Sequence, residues 1–167
     1  MSGRTGYGTM GIISQRLHDQ GIVLPPPIQL PNGPLPIPWV HVVGKRVLIS
    51  GHGPGNSSGV YSARGRVGAE VSAEQAHEAA RATAYTMLAN LQRELGDLDR
   101  IAGWVRVFGM VNCVEGFDRI PEVINGFTSV ILEAFGPERG RHARSAIGVA
   151  ELPFGIPVEI EAEAQLV

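Results

Sequence analysis

The sequence lacks the features that mark secreted and membrane proteins. It contains a single cysteine, Cys113, which excludes a disulfide bond within the chain and is typical of proteins from a reducing compartment. No stretch approaches the roughly 20 consecutive apolar residues that a membrane-spanning helix needs. The N-terminus also lacks the basic patch and long apolar run of a secretory signal. We therefore expect a cytoplasmic protein with no membrane partner.

An excess of positive charge is absent as well. The 14 Lys and Arg residues are outnumbered by 16 Asp and Glu residues, and only 6% of the chain is aromatic. A dedicated nucleic-acid-binding domain normally combines a basic surface with aromatic side chains that stack on bases. The composition therefore argues against nucleic acid as a partner. A hydrophobic fraction of 44% in 167 residues is enough for one domain with its own core.

Signals for a metal or cofactor site are also missing. Neither His41 nor His52 has a carboxylate or cysteine at metal-ligand spacing, and we expect both histidines on the surface or in loops. The glycine-rich loop of residues 51–68 lacks a following GKS/T, so we assign its glycines to turns rather than to phosphate binding. Cys113 shows no signal for thiolate activation, and we predict no serine nucleophile elbow. The sequence thus predicts a protein without metal or cofactor.

The first 36 residues are predicted to form an N-terminal extension. Residues 1 to about 7 are rich in small residues and are expected to be loose. A short helix follows that ends near Gly21, because Met10, Ile12, Ile13 and Leu17 recur at helical spacing. Seven prolines between residues 24 and 38 then predict an extended strap, since proline fixes φ and donates no hydrogen bond. We favour a packed arm over a ligand for an SH3-type domain.

Residues 37–167 are predicted to form an α+β domain with the element order β-β-α-β-α-β-β. Two short strands flank the turn Gly44-Lys45. The capping box Ser72-Ala-Glu-Gln75 begins a long helix that ends at Gly96. Alternation predicts a central strand over residues 101–111, with Trp104 on the same side as Arg106 and Phe108. A second helix begins near Pro121 and ends at Gly136. Two amphipathic helices and a mixed sheet are most simply arranged with both helices on one sheet face.

The last strands of this order predict a β-hairpin. Residues 144–153 and 158–164 each alternate polar with apolar or small residues, and a segment with two prolines and a glycine joins them. A period of two places Arg144 on one face with the small residues Ala146, Gly148 and Ala150. It also places Glu159 on one face with Glu161 and Glu163. The pattern alone leaves open whether Arg144 binds an external ligand or forms a salt bridge to Glu159 or Glu161.

Several segments share their residues and spacing with one known family. The motif Arg144-Ser-x-x-x-Val-Ala-x-Leu-Pro153, followed by a short turn and Val158-Glu-Ile-Glu-Ala162, closely resembles the C-terminal signature of the RidA (YjgF/YER057c/UK114) family. This family is also described as endoribonuclease L-PSP-like. The likeness covers the chain from about Leu35 to Val167 and includes four upstream segments: Ile37-Pro-Trp39, Val47-Leu-Ile-Ser-Gly51, Gly96-Asp-Leu-Asp-Arg100 and Val123-Ile-Asn-Gly126.

The resemblance implies a fold, an assembly and an activity. RidA-like proteins have a chorismate mutase-like fold and form homotrimers with sites in the clefts between subunits. The implied reaction is the hydrolysis of reactive 2-imino acids to 2-oxo acids and ammonia without a cofactor. Arg144 matches the family arginine that anchors the substrate carboxylate, and Glu159 matches the acidic residue that positions or activates a water molecule. Both are our candidate catalytic residues.

Four further positions are implied as substrate-binding residues, and three of them depart from the family pattern. Asn125 matches an asparagine on the second helix. Trp39 replaces the usual tyrosine, His52 the glutamine of Ser-Gly-Gln, and Ala146 a common cysteine. Two have a structural alternative: Asn125 as an exposed helical residue and Trp39 as a core residue. The departures keep two other functions open: a trimer that binds small carboxylates without turnover and, with weaker support, an endoribonuclease.

Overall fold

A computed structural model describes residues 10–167 of the chain. The expectation of a loose segment over residues 1 to about 7 lies outside this range. The described chain forms the short N-terminal helix and then two helices and five strands in the predicted order. Their bounds are α1 Ile12–Asp19, β1 Val40–Val43, β2 Arg46–His52, α2 Ala73–Leu95, β3 Ile101–Asn112, α3 Ile120–Arg139, β4 Ala143–Val149 and β5 Val158–Leu166.

The local signals in the sequence explain where these elements begin and end. Gly44 has a positive φ of 61° and turns the chain between β1 and β2. Ser72 accepts a hydrogen bond from the Gln75 N–H and its own N–H donates to the Gln75 side chain, which completes the predicted capping box of α2. Helix α3 has proline in its first turn, and Gly136 interrupts its helical geometry with a φ of 80°. These boundaries are therefore confirmed.

The strand order shows that the predicted C-terminal hairpin is wrong. The sheet has the order β1-β2-β5-β3-β4, so β4 and β5 are separated by β3. Strand β4 runs parallel to β3, because α3 provides the crossover between them, whereas β5 runs antiparallel to β3 and to β2. The segment from Pro153 to Pro157 carries the chain across the end of β3. Alternation identified both strands but contains no information about their partners.

Helices α2 and α3 lie on one face of this mixed sheet, as predicted. The core between them contains buried residues from the central strands, among them Val107, Val111, Val158 and Ile160. We call this side the helix face and the other side the open face. Residues of the open face alternate with the core residues and include Arg106, Phe108, Glu159 and Glu161. No segment of the described chain forms a second layer over the open face.

One residue of β3 lies on the face opposite to the prediction. Trp104 is only 5% exposed and packs edge-to-face against Phe127 and Phe135 of α3, whereas Val105 is 44% exposed. The register between β3 and β5 shifts between Trp104 and Arg106. A bulge at this point inserts an extra residue and reverses the alternation on its N-terminal side. The strict period of two was therefore wrong for Trp104.

The N-terminal arm packs on the domain. Ile13 and Leu17 of α1 are buried, and the Ile12 N–H donates a hydrogen bond to the Asp99 carboxylate. The proline-rich segment has no regular secondary structure and is held by Arg93, which donates to the Pro25 carbonyl. As predicted, this segment is neither a helix nor a strand, although a turn at residues 31–32 interrupts it. Its extended form and the division between residues 1–36 and 37–167 stay predictions. Within the described residues, no helix combines the length and apolar character needed to cross a membrane.

Candidate functional site

Arg144 lies on the edge strand β4 with its side chain turned toward α3. Its Nη1 donates hydrogen bonds to Asn125 Oδ1 at 2.9 Å and to Thr128 Oγ1 at 3.0 Å. Within the described chain, its Nε and Nη2 have no hydrogen-bond acceptor and it forms no salt bridge, so the alternative pairing with Glu159 or Glu161 is not present there. Partial burial lowers the pKa of Arg144, although a guanidinium stays protonated at neutral pH.

The small residues beside Arg144 allow α3 to approach the sheet closely. Ala146 is paired with Gly109 of β3, and a Cβ built on Gly109 lies 2.7 Å from the Ile124 side chain. A Cβ on Gly148 lies 2.9 Å from the Cys113 sulfur. Both contacts are tighter than side chains tolerate. The glycines at positions 109 and 148 are therefore explained by close packing against Ile124 and Cys113.

Glu159 lies on the open face of β5, where it is partly buried. It fills the space above Gly51 of β2, because a Cβ on Gly51 lies 2.8 Å from the carboxylate carbon of Glu159. Burial and the nearby charge of Glu161 raise the pKa of Glu159, since both disfavour the ionised form. Burial, together with the charge of Glu159, also raises the pKa of Tyr61. A carboxyl group with a raised pKa has the properties of a general base at near-neutral pH.

Trp39 and His52 are in contact, but His52 is directed away from the open face. The two ring centroids are 4.9 Å apart. His52 is fully buried, which contradicts the expectation of a surface or loop histidine, and its pKa falls to about 4 because burial disfavours the charged imidazole. Its Nδ1 bonds to the Ser50 carbonyl at 2.6 Å, and its Nε2 accepts from Asn90 of α2 at 2.8 Å. His52 therefore packs against Trp39 and is itself held by α2 on the helix face.

The predicted site residues form two separate groups. Arg144, Asn125 and Ala146 lie together at the edge of β4, and we call this group the arginine half. Trp39 lies beside β2 on its β1 side and contacts His52, whereas Glu159 lies on β5 against Gly51 of β2. We call these three residues, Trp39, His52 and Glu159, the glutamate half. The register places Arg144 and Glu159 two strands and three residues apart, with Cα atoms separated by roughly 14 Å. Their side chains point to opposite faces of the sheet, so one chain does not bring them together.

A groove of about 410 Å³ lies on the open face beside the glutamate half. Its walls include Ile37, Ser50, Phe108, Arg106 and Glu161. Its walls thus combine apolar side chains with charges of both signs. The groove could accept a side chain from another molecule or a small polar ligand.

Two residues next to the arginine half were missed by the sequence analysis. Thr128 contacts Arg144 directly, and its hydroxyl lies 3.2 Å from Nε2 of His142. Thr128 could have been found, because residues three positions apart on a helix share a face and Asn125 was already a candidate. His142 carried no such signal, since its approach to Thr128 depends on how the chain turns between α3 and β4.

Other chemistry is not supported by the described residues. The segment Gly55–Gly59 does have the spacing G-x-S-x-G, but it forms a surface turn in which Asn56 accepts hydrogen bonds from Ser58 and Val60. A nucleophile elbow needs a strand-to-helix turn instead. Residues 10–167 contain no group of three or more His, Cys, Asp or Glu side chains that could hold a metal ion.

Comparison with known proteins places the chain in one family. The family model described as "YjgF/chorismate mutase-like, putative endoribonuclease" matches residues 28–156. The chain belongs to the YjgF/chorismate mutase-like family. The family resemblance and the predicted chorismate mutase-like α+β fold are thereby confirmed. Asn125 and Arg144 lie inside the matched span of this YjgF-family chain, and Glu159 follows three residues after its end.

Individual relatives support the same assignment. Protein TCP17 of Trypanosoma cruzi is 41% identical over 123 residues, which cover 74% of this chain and 76% of the relative. The crystal structure of Atu1372, a protein of unknown function from Agrobacterium tumefaciens, has a TM-score of 0.83 and 33% identity over 93% of each chain. A putative endoribonuclease from Shewanella oneidensis MR-1 has a TM-score of 0.84 and 25% identity over 93% of this chain and all of that one.

Proposed function

We propose that this YjgF-family protein hydrolyses reactive 2-imino acids to 2-oxo acids and ammonia. The observation that carries the proposal is the Arg144 guanidinium, which is fixed through Nη1 and leaves Nε and Nη2 without an acceptor in the described chain. These two nitrogens form a planar edge that matches a carboxylate in two charge-assisted hydrogen bonds. A 2-imino acid carries its electrophilic carbon next to this carboxylate.

The chemistry needs a positioned water and a group that carries a proton. Glu159 removes a proton from water while the oxygen bonds to the iminium carbon, which gives a carbinolamine. The protonated Glu159 then transfers its proton to the nitrogen. The C–N bond breaks with its electrons on nitrogen, so ammonia leaves as the C=O bond forms. The hydroxyl proton passes to Glu159 and from there to ammonia, which gives ammonium and a 2-oxo acid. The raised pKa of Glu159 suits these transfers, and orientation supplies most of the remaining rate acceleration.

The two halves of the site lead us to propose a homo-oligomer. Arg144 and Glu159 point to opposite faces of one sheet and cannot contact the same small molecule within one chain. A second copy of the chain that places its glutamate half against the arginine half of the first copy brings both groups to one ligand. The open face, which has no second layer in the described chain, offers a surface for such a contact. We propose a homotrimer with its sites between subunits.

Ammonia release from enzymatically generated 2-iminopropanoate tests the activity. Wild-type protein is expected to accelerate release over the spontaneous reaction, and Arg144→Ala is expected to abolish this acceleration. Equal rates for the two proteins contradict the proposal. Thr83→Ser, a conservative change in the interior of α2 outside both halves, serves as the matched control.

A second candidate is a trimer that binds small carboxylates without turnover. It is favoured by Trp39, because an indole provides no phenolic hydroxyl, and by His52, because its imidazole is buried and bonded on both nitrogens. Calorimetry with 2-oxobutanoate distinguishes the two functions, since Arg144-dependent binding without deamination supports the binding protein. RNA cleavage that Arg144→Ala abolishes would instead support the endoribonuclease function named for the family and for the Shewanella relative.

A further inference from the structure

A chain of hydrogen bonds connects Arg144 to the backbone behind it. Arg144 Nη1 lies 3.0 Å from Thr128 Oγ1, which lies 3.2 Å from Nε2 of His142. The other ring nitrogen, Nδ1, lies 2.7 Å from the Gly140 carbonyl oxygen. Thr128 and His142 are both half-buried, so these contacts are shielded from solvent on one side.

The direction of each bond in this chain follows from the chemistry of its ends. The Gly140 carbonyl can only accept, so the proton of the neutral imidazole lies on Nδ1. Nε2 of His142 is then an acceptor and takes a hydrogen bond from the Thr128 hydroxyl. The Thr128 oxygen in turn presents its lone pairs to Arg144, which can only donate. Every donor in the series therefore has one acceptor, and the tautomer of His142 sets the orientation of the Thr128 hydroxyl.

The same contacts determine which edge of the guanidinium is free. Nη1 carries two N–H groups, and Asn125 and Thr128 accept one each. The end-on edge formed by the two Nη atoms is therefore partly occupied. The side-on edge keeps both of its N–H groups, one on Nε and one on Nη2, without an acceptor in the described chain.

We propose that His142 is a positioning residue that acts through Thr128 to hold Arg144 side-on to the carboxylate of its ligand. The ligand class is a planar carboxylate that binds Nε and Nη2 in a bidentate manner. This inference rests on the proposed function, because it assigns Arg144 a carboxylate ligand. His142 itself does not touch the ligand, and its contribution passes entirely through the Thr128 hydroxyl.

Calorimetry with 2-oxobutanoate tests the series through four variants. Thr128→Val keeps the side-chain shape but removes the hydroxyl, and we expect binding to weaken about tenfold. Thr128→Ser restores the hydroxyl and is expected to bind within about twofold of wild type. His142→Phe is expected to match Thr128→Val, whereas His142→Gln restores an acceptor near the Nε2 position and recovers affinity. His18→Phe, on exposed α1, is the control.

The double variant Thr128→Val/His142→Phe separates a positioning role from two independent structural roles. If His142 acts only through Thr128, the double variant binds no more weakly than either single variant. If the losses of affinity in the two single variants multiply in the double variant, the inference is overturned. Wild-type affinity in Thr128→Val also overturns it. Nitrogen-15 NMR of the free protein adds a test without ligand. The Nδ1–H tautomer of His142 is expected, and the Nε2–H tautomer overturns the inference.

The proposed function and this inference fail in different ways. Absence of ammonia release with intact, Thr128-dependent carboxylate binding contradicts the deaminase and leaves the positioning role supported. Carboxylate binding that requires Arg144 but is unchanged in Thr128→Val contradicts the positioning role alone. Absence of any Arg144-dependent carboxylate binding overturns both.

Discussion

The missing Cβ of Gly51 gives the Glu159 carboxylate its position. The two residues lie on the neighbouring strands β2 and β5, next to a register shift between Ile49 and His52. Both the carboxylate carbon and one oxygen of Glu159 occupy the space that a side chain at Gly51 would need. The position of the candidate general base is therefore determined by a glycine on another strand as well as by its own backbone.

Gly51→Ala is expected to reduce activity while the protein stays folded. Gly51 has no positive φ, so alanine fits its backbone, but the new methyl group must displace the Glu159 carboxylate. We expect kcat/KM for 2-iminopropanoate to fall roughly 10- to 100-fold, because a small misplacement of a catalytic group is costly. Thermal unfolding is expected to change little, since the displaced group is the end of a flexible side chain.

Gly103→Ala is the matched control for this substitution. Gly103 also lies in a strand, and the nearest atom to its added Cβ is the Arg139 carbonyl oxygen at 3.8 Å, an ordinary contact. This variant is expected to keep wild-type kcat/KM. Full activity in Gly51→Ala would show that the contact between Gly51 and Glu159 has no role in catalysis.

The pH dependence of the reaction is expected to report on Glu159. Burial and Glu161 raise the pKa of Glu159, so activity that needs the carboxylate is lost at a higher pH than for an ordinary glutamate. Glu161→Gln removes the neighbouring like charge and is expected to move this acidic limb to lower pH. The profile of kcat/KM measures the shift. Coincident profiles for Glu161→Gln and wild type would contradict a contribution of the Glu161 charge to the titration of the catalytic group.

Arg144→Lys is expected to behave almost as poorly as Arg144→Ala. A lysine ammonium lacks the planar Nε and Nη2 edge and cannot retain the bonds to Asn125 and Thr128 while it binds a carboxylate side-on. We expect carboxylate affinity to fall on the order of 100-fold, as measured by calorimetry. Near-wild-type affinity of Arg144→Lys would mean that a point charge is sufficient.

Mixed oligomers test whether two copies build each site. Arg144→Ala and Glu159→Gln are each expected to be inactive alone. The two variants are unfolded and refolded together in equal amounts. Random mixing then places an intact arginine half beside an intact glutamate half in about a quarter of the sites, because each half is intact in half of the copies. Recovery of about that fraction of wild-type activity is expected. No recovery in oligomers shown by mass spectrometry to be mixed contradicts a site shared between copies.

His52 is expected to make the protein sensitive to mild acid. Its pKa is about 4 in the folded protein and near 6.5 when unfolded, so between these values the unfolded chain binds a proton that the folded chain does not. Stability is therefore lost as pH falls through this window, by about 2 kcal/mol between pH 7 and pH 5. Denaturant unfolding at both values measures the loss.

His52→Gln provides the comparison for this loss of stability. The glutamine amide does not titrate in this range, so the variant is expected to lose less stability than wild type between pH 7 and pH 5, whatever its stability at pH 7. The pKa of His142 is also lowered by burial, but this contribution is common to both proteins. An identical pH dependence in the two proteins would contradict the buried, neutral state of His52.

The sequence alone predicted the elements, because their signals are local. The capping box at Ser72, the turn glycine Gly44 and the break at Gly136 act within a few residues, and each formed where its residue type required it. The family motif similarly identified Arg144 and Asn125, which the structure places in hydrogen-bond contact. The element boundaries depend on residues close together in the sequence. The contact between Arg144 and Asn125 depends on α3 packing against β4, the strand that follows it.

Only the tertiary structure decided which strands pair and which side chains share a face. The alternation of residues 144–164 is the same whether the two strands pair with each other or are separated by β3, and the bulge at Trp104 leaves no mark in the sequence. Strand partners, the burial of His52 and the approach of His142 to Thr128 are contacts between residues distant along the chain. Such contacts are fixed by packing the whole core at once, and a local pattern does not contain them.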